Sequence, residues 1–349
     1  MSFAPFCFSS NQQHNALGQP IQVQRGTRQG GLSSTFIFNT VYQHIIRTLN
    51  NMTCGVTIDG TNFNTICYAD DILLCSTTHT GLQCLIDKAA DCISDSGLRF
   101  NPSKTKCMTF GRHSFVEEPS WTLGDQSLST VDSITYLGVE LSMRPRHHIT
   151  NRIRSAQRAF YGLQGAGLHF QGLAPRTSST IYQTGVLSVL TYGCHSIALR
   201  KTDLTNLERN HAKFIKTMLG LPTYCHNTPL LQALGINRME HIIQAASLDL
   251  LRTSLVSNSA TSKCYSFLLG CNSSYTKNTL VGRVRNYCGQ NNINVNRYNF
   301  NDNYRTLVRK QLKSHVKDGV NGHIDSIRTC LLNYDWQNRN IVHHLVKPF

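Results

Sequence analysis

Acidic residues are scarce in this chain and unevenly placed. Residues 1–58 hold no aspartate and no glutamate, and the first acid is Asp59. Across 349 residues, 19 Asp and Glu stand against 34 Lys and Arg, a formal charge of +15 with a pI near 9.4. A surplus of this size favours polyanionic partners over basic or neutral ones; the bland alternative is a merely soluble basic protein. Cys-x-x-Cys is also absent. The 13 cysteines are odd in number and carry no knuckle spacing, which argues against both a zinc site and a disulfide framework. Cys264, Cys271 and Cys288, with His315 beyond, form the one set that invites a metal, and their gaps are irregular. Long apolar runs are missing: Val186 to Leu190 and Leu248 to Leu251 are far too short to cross a bilayer. Met1 to Asn15 lacks the basic start and apolar stretch of a secretory leader. An intracellular protein with free thiols is expected, without zinc or membrane contact, and the sequence does not separate nucleus from cytoplasm.

What is present is concentrated around two adjacent carboxylates. Asp70 and Asp71 sit in the frame Asn64-Thr65-Ile66-Cys67-Tyr68-Ala69-Asp70-Asp71-Ile72-Leu73-Leu74-Cys75. Ile66 to Tyr68 reads as one strand and Ile72 to Cys75 as a second, with the acids at the bend. Adjacent carboxylates repel, and sinking them between strands costs several kcal/mol (about 2–7 for a polar group, more for a charge) unless a cation compensates. Standing alone, the pair would read as an ordinary solvated turn. Just upstream, Asp59-Gly60 follows Val56-Thr57-Ile58 as a hairpin-turn signature.

The pair does not stand alone. Gln24-Arg25-Gly26-Thr27-Arg28-Gln29-Gly30-Gly31 precedes an apolar stretch at helical spacing, Phe36, Val41, Ile45 and Leu49. Gly97-Leu98-Arg99-Phe100-Asn101-Pro102-Ser103-Lys104-Thr105-Lys106 follows, and then Tyr136-Leu137-Gly138-Val139. A glycine loop or an acid pair is a weak signal by itself; the ordered set of four is strong. It resembles the palm of a reverse transcriptase, an RNA-directed DNA polymerase of the non-LTR retrotransposon type, over roughly residues 20–142 and more loosely as a thumb to about 240.

The resemblance implies roles residue by residue. Asp70 is similar to the palm's metal ligand and Asp71 to its acidic neighbour, for Mg²⁺ or Mn²⁺. Gln29, Gly30 and Gly31 resemble the segment that packs against incoming dNTP and template. Lys104 resembles the lysine near the triphosphate, with Lys106 as runner-up; both are also readable as plain phosphate-facing cations. Tyr136, Leu137 and Gly138 resemble the hairpin that grips the primer end, although Tyr136 also suits core packing. RNA template, DNA primer and dNTP are the partners implied. The family also places a further metal-binding aspartate on a strand before the glycine loop, and the acid-free first 58 residues cannot supply it. The chain is therefore expected to be an N-terminally truncated fragment that lacks the fingers as well.

Beyond residue 142 the pattern turns from period two to 3.6. Arg146 to Leu163 places Ile149, Ile153, Phe160 and Leu163 near one face and stacks Arg154 and Arg158 at i, i+4, as candidate contacts to a nucleic-acid backbone or as a solvated basic face. Ala174-Pro175 breaks the chain before a helical run through Ile181 to Tyr192. Asp203 reads as the cap of a helix striped by Leu204, Leu207, His211, Phe214, Ile215 and Met218, stopped by Gly220-Leu221-Pro222. Thr228-Pro229 opens a short helix, and Met239 to Leu255 a longer one. Asn286 to Asn303 is crowded with asparagine and reads as a loop. Arg305, Arg309, Lys310, Lys313 and Lys317 form a basic stretch beyond it.

The expected fold is α+β: a partial antiparallel palm over 1–142 with helices on one face, a helical thumb-like region over 143–256, and a less defined region over 257–349. The expected function is RNA-templated DNA synthesis by two-metal nucleotidyl transfer in the parent element, with this chain inactive alone. The alternative is a silent nucleic-acid-binding remnant.

Overall fold

A computed structural model describes four short strands between residues 7 and 23, and then residues 33–110, 120–142, 146–169, 173–197, 199–256, 259–271 and 279–290. The fold is mixed α+β, with small, mostly antiparallel sheets and a set of helices. The chain divides into two compact units, 1–107 with 113–130, and 108–112 with 131–349.

In the first unit, β1 (Cys7–Ser9) pairs antiparallel with β4 (Ile21–Val23), and β2 (Gln12–Gln13) with β3 (Ala16–Leu17). Helix α1 (Ser34–Asn50) follows. Two hairpins come next, β5 (Thr57–Ile58) with β6 (Thr61–Asn62), and β7 (Thr65–Tyr68) with β8 (Asp71–Leu74). The first closes on Asp59 and Gly60, with φ of 47° and 66°, the two left-handed residues that a type I′ turn needs. Helix α2 (His79–Asp95) starts at Thr78, whose Oγ1 accepts from Gly81 N at 3.1 Å. Strand β9 (Lys106–Cys107), β10 (Trp121–Leu123) and β11 (Gln126–Thr130) complete the unit, with β9 and β11 parallel.

Its core joins Tyr42, Ile45 and Leu49 of α1 to Leu85, Ala89 and Ile93 of α2. Among the described side chains, the apolar stripe expected on α1 holds at Ile45 and Leu49. Phe36, earlier on the helix, is 75% exposed, since α2 packs over the later turns. The antiparallel pairing expected here is present as small separate sheets: among the described residues the β7–β8 hairpin is two-stranded.

Two asparagines tie α1 to these hairpins. The last carbonyls of a helix lack internal partners, and here side chains supply the donors. Asn62 Nδ2 donates to Asn50 O at 3.0 Å. Buried Asn64 donates to Leu49 O at 2.9 Å and Met52 O at 2.7 Å, and Asn50 Oδ1 accepts from Thr65 N at 3.2 Å. Removing both Asn64 bonds leaves Leu49 O with Met52 N alone, at 3.2 Å, and Met52 O with only the long 3.5 Å approach of Asn62 Nδ2. Asn64→Ala should destabilise this unit by about 2 kcal/mol, read from urea unfolding followed by the fluorescence of buried Trp121; an unchanged midpoint would refute this account of the helix end.

The second unit opens with the hairpin of β12 (Ser133–Tyr136) and β13 (Val139–Ser142). Helix α3 (Arg146–Gly165) follows, then a helix that begins at Pro175. It runs as α4 (Pro175–Ile181), a wider π turn over Tyr182–Leu187, and α5 (Ser188–Thr191). Helices α6 (Lys201–Met218), α7 (Asn227–Ala233), α8 (Met239–Val256), α9 (Ala260–Gly270) and α10 (Leu280–Gln290) complete the described part.

Ile149, Phe160, Tyr182, Leu207, Phe214, Ile215 and Met218 share one buried cluster, so the stripes expected on α3 and α6 do face a core. Asp203 is not the cap of α6. It lies three residues inside, its carboxylate accepting from Arg200 N at 2.9 Å, so the helix starts earlier than the sequence indicates. His211 is fully buried as a core residue, hydrogen-bonded to Tyr182 at 2.7 Å. Helix α10 runs through Gln290, so residues 286–290 are helical rather than loop; a second core of Leu248, Leu251, Val281 and Val284 offsets the poor helix propensity of Asn286. The asparagine-rich remainder, His315 and the basic stretch lie outside the described residues.

Candidate nucleotidyl-transfer site

The acid pair is positioned by the register of the β7–β8 hairpin. Tyr68 pairs with Asp71, leaving Ala69 and Asp70 as a two-residue turn. Ala69 has φ of 50°, the positive first turn position that right-twisted hairpins favour, at a strain of about 1–2 kcal/mol for a residue with a Cβ. Strained backbone of this kind clusters at active sites and ligand clamps, and here it immediately precedes the two acids.

Asp70 and Asp71 are exposed. They stand at the bend between the two strands, and the two-residue turn leaves both at the tip with water on one side. Within the same unit, a groove of about 400 Å³ adjoins the turn, lined by Phe36, Asn39, Tyr42, Gln43, Cys67 and Ala69 among others. Burial, and then the charge of Asp70, raise the Tyr42 phenol above its usual range, which places that tyrosine within electrostatic reach of the acid. Burial pushes the Cys67 thiol up to about 11. It is a packed apolar side chain, not a nucleophile.

Lys104 is exposed in a tight turn held by Asn101, whose carbonyl accepts from Lys104 N at 3.1 Å and whose Oδ1 accepts from Ser103 N at 3.0 Å. Its ammonium is left to solvent or a ligand. Lys106, the runner-up, is committed on β9, donating to Ser129 Oγ at 2.8 Å. Gln29, Gly30 and Gly31 lie outside the described residues.

The second unit holds the remaining candidates. Leu137 and Gly138 form the β12–β13 turn, with φ of 49° and 74°. Arg154 and Arg158 are exposed on α3, opposite buried Ile149, Ala156 and Phe160. Sequence reasoning missed Tyr42, Asn64 and Tyr192. Asparagine before a strand and buried polar atoms on an apolar stripe are weak local signals, and Tyr192 acts across 55 positions.

Two carboxylates at one exposed tip fit a magnesium-type ion, which takes one or two carboxylates together with substrate phosphates. Among the described residues no group of three or more His, Cys, Asp or Glu side chains converges as an all-protein cage, and no helix is long and apolar enough to cross a membrane.

A strained acidic hairpin tip, a basic turn and a second left-handed turn thus follow one another along the chain. Residues 4–141 match the family model for reverse transcriptase (RNA-dependent DNA polymerase), a family that works with divalent metal ions, nucleic-acid templates and dNTPs. The chain is 29% identical over 230 residues to the retrovirus-related Pol polyprotein from type-2 retrotransposable element R2DM of Drosophila melanogaster, covering 61% of this chain and 21% of that protein. It is 28% identical over 131 residues to the corresponding polyprotein from type-1 retrotransposable element R2 of Nasonia vitripennis, covering 35% of this chain and 13% of that protein. Residues 4–141 therefore match a reverse transcriptase domain, and the chain is similar to the Pol polyproteins of non-LTR retrotransposable elements. The Drosophila match is longer than the family match, so the relationship continues past residue 141 into the helical unit. The chain spans about a fifth or less of the length of these relatives.

Proposed function

We propose that the first unit is part of a polymerase palm and α3 to α8 a thumb, together serving RNA-templated DNA synthesis. The observation that carries this is the strained Ala69 turn presenting Asp70 and Asp71 to solvent inside the matched region. Asp70, with Asp71 beside it, would hold Mg²⁺ or Mn²⁺; bound there, the ion would stabilise charge that develops on phosphate oxygens. Lys104 faces the triphosphate and stabilises the leaving pyrophosphate. Gln29, Gly30 and Gly31 pack on the incoming dNTP, Gly30 and Gly31 letting backbone approach closely. Tyr136, Leu137 and Gly138 hold the primer end, and Arg154 and Arg158 lie along the duplex backbone. RNA template, DNA primer and dNTP are the partners.

Binding tests the charge part of this reading. The purified chain should bind RNA–DNA duplex with little sequence preference, its affinity falling steeply between about 50 and 200 mM salt. Replacing Arg154 and Arg158 together should weaken binding across all sequences and reduce the salt slope by about one per side chain. Affinity insensitive to salt in that range would remove the electrostatic interface. A second reading is a nucleic-acid-binding remnant without turnover. Primer extension separates the two.

A further inference from the structure

We propose that Tyr192 is the positioning residue of the primer-end hairpin, locking the Leu137–Gly138 turn from the far end of the π-containing helix. The proposal rests on the reading of that turn as the primer grip.

The turn needs an external hold. Strands β12 and β13 have four residues each, and an isolated hairpin of that size is marginal in water. A I′-like turn favours Asn-Gly or Asp-Gly; here the first position is a leucine at φ 49°, a strained choice that persists only where surroundings over-determine it.

Tyr192 supplies the surroundings. Its hydroxyl donates to Leu137 O at 2.8 Å, fixing the peptide that leaves the strained residue. Its ring lies against Gly138, where an added Cβ would come within 3.2 Å of Cε1. The tyrosine is fixed in turn. Helix α5 ends at Thr191, and Tyr192 swings to φ −56°, ψ 123°. His148 Nε2 donates to Tyr192 O at 3.0 Å, while its Nδ1 accepts from Glu140 N at 3.3 Å, on β13 itself. Arg152 stacks its guanidinium over the Tyr192 ring, 5.4 Å from the centroid. Gly193, at φ 73°, lets the chain turn away; a Cβ there would sit 2.8 Å from Val139 Cγ2 and 3.1 Å from His148 Nε2. Hairpin, α3 and α5 thus meet on one phenol.

This network serves position more than stability. The Tyr192 side chain is about half exposed, so its hydrogen bond contributes little to folding, yet it restrains a loop whose displacement by about 1 Å would take a primer end out of alignment.

Tyr192→Phe keeps the ring and removes only the hydroxyl. The full chain would be titrated with an RNA–DNA duplex bearing a recessed DNA 3′ end and with a blunt duplex of equal length, while amide exchange is read across residues 136–139. Affinity for the recessed end should fall about fivefold, with blunt-duplex affinity unchanged, faster exchange at 137–139, and a thermal midpoint within about 2 °C of the parent. Tyr161→Phe, which removes an exposed hydroxyl elsewhere on α3, should change none of these. Unchanged exchange in Tyr192→Phe would overturn the lock. Faster exchange with unchanged recessed-end affinity would overturn the positioning role. A parent chain with no preference for the recessed end, and no response to Gly138→Ala, would overturn the primer-grip reading and this proposal with it.

Discussion

Acidification from pH 7 to pH 4 should remove about 3 kcal/mol from the stability of the helical unit through His211 alone. Tyr182 donates to His211 Nδ1 at 2.7 Å, and Nε2 donates to Asn237 O at 3.3 Å, so the neutral Nε2–H tautomer satisfies both neighbours. Burial lowers the imidazole to about 4, only partly opposed by the Asn237 hydrogen bond. In the unfolded chain it titrates near 6.5. Between those values the unfolded chain binds the extra proton, so stability is complete above pH 6.5, falls below it, and levels off under about 4. Burial also lowers His148 and His195, adding the same sign. His211→Gln retains one acceptor and one donor but cannot titrate. Urea midpoints followed by far-UV circular dichroism should drop less with pH in that variant than in the parent. Identical slopes would show that His211 does not set the acid limit.

His211 also shows what was legible. Its place on a 3.6-period stripe with Leu207, Phe214 and Met218 reads directly from sequence, because helix faces are local and the stripe runs over several turns. The Asp59-Gly60 turn is legible for a similar reason, since both residues tolerate positive φ. The hidden features depend on what packs elsewhere. Phe36 fits the stripe of α1 but extends beyond the reach of α2. Asp203 has capping chemistry, yet serves from the third helical position. Asn286 disfavours helix by propensity, and tertiary burial of Val281, Val284 and Cys288 overrides it. In the site, order of motifs identified the acid hairpin and the second turn, while exposure of the acids depended on the hairpin register. The Tyr192 bond to Leu137 leaves no trace in either segment, because a tyrosine at a helix end and a leucine in a turn each have many uses.

Alone, the 349-residue chain should give no measurable primer extension with any dNTP and divalent metal. A site that stabilises both the attacking and the leaving oxygen needs carboxylates converging from more than one strand. Asp70 and Asp71 share a single turn, and the 58 residues before Asp59 contain no acid to join them. A reacting geometry displaced by 1 Å loses on the order of 100-fold; absence of a whole ligand should lose more. The hairpin is nonetheless prepared to accept help. Among the described residues β8 is paired on one side only, with β7, and an open edge is a template for another strand. A separate domain carrying an aspartate-bearing strand should restore some extension when mixed with this chain. Asp70→Ala should abolish the gain, and Lys106→Ala, whose ammonium is already held by Ser129, should spare most of it. Asp70→Asn should leave duplex binding intact or slightly tighter, since it removes a negative charge near the phosphates, which separates loss of chemistry from loss of substrate. Robust extension by the unassisted chain, abolished by Asp70→Ala, would show that the carboxylates present suffice and that the missing-ligand account is wrong.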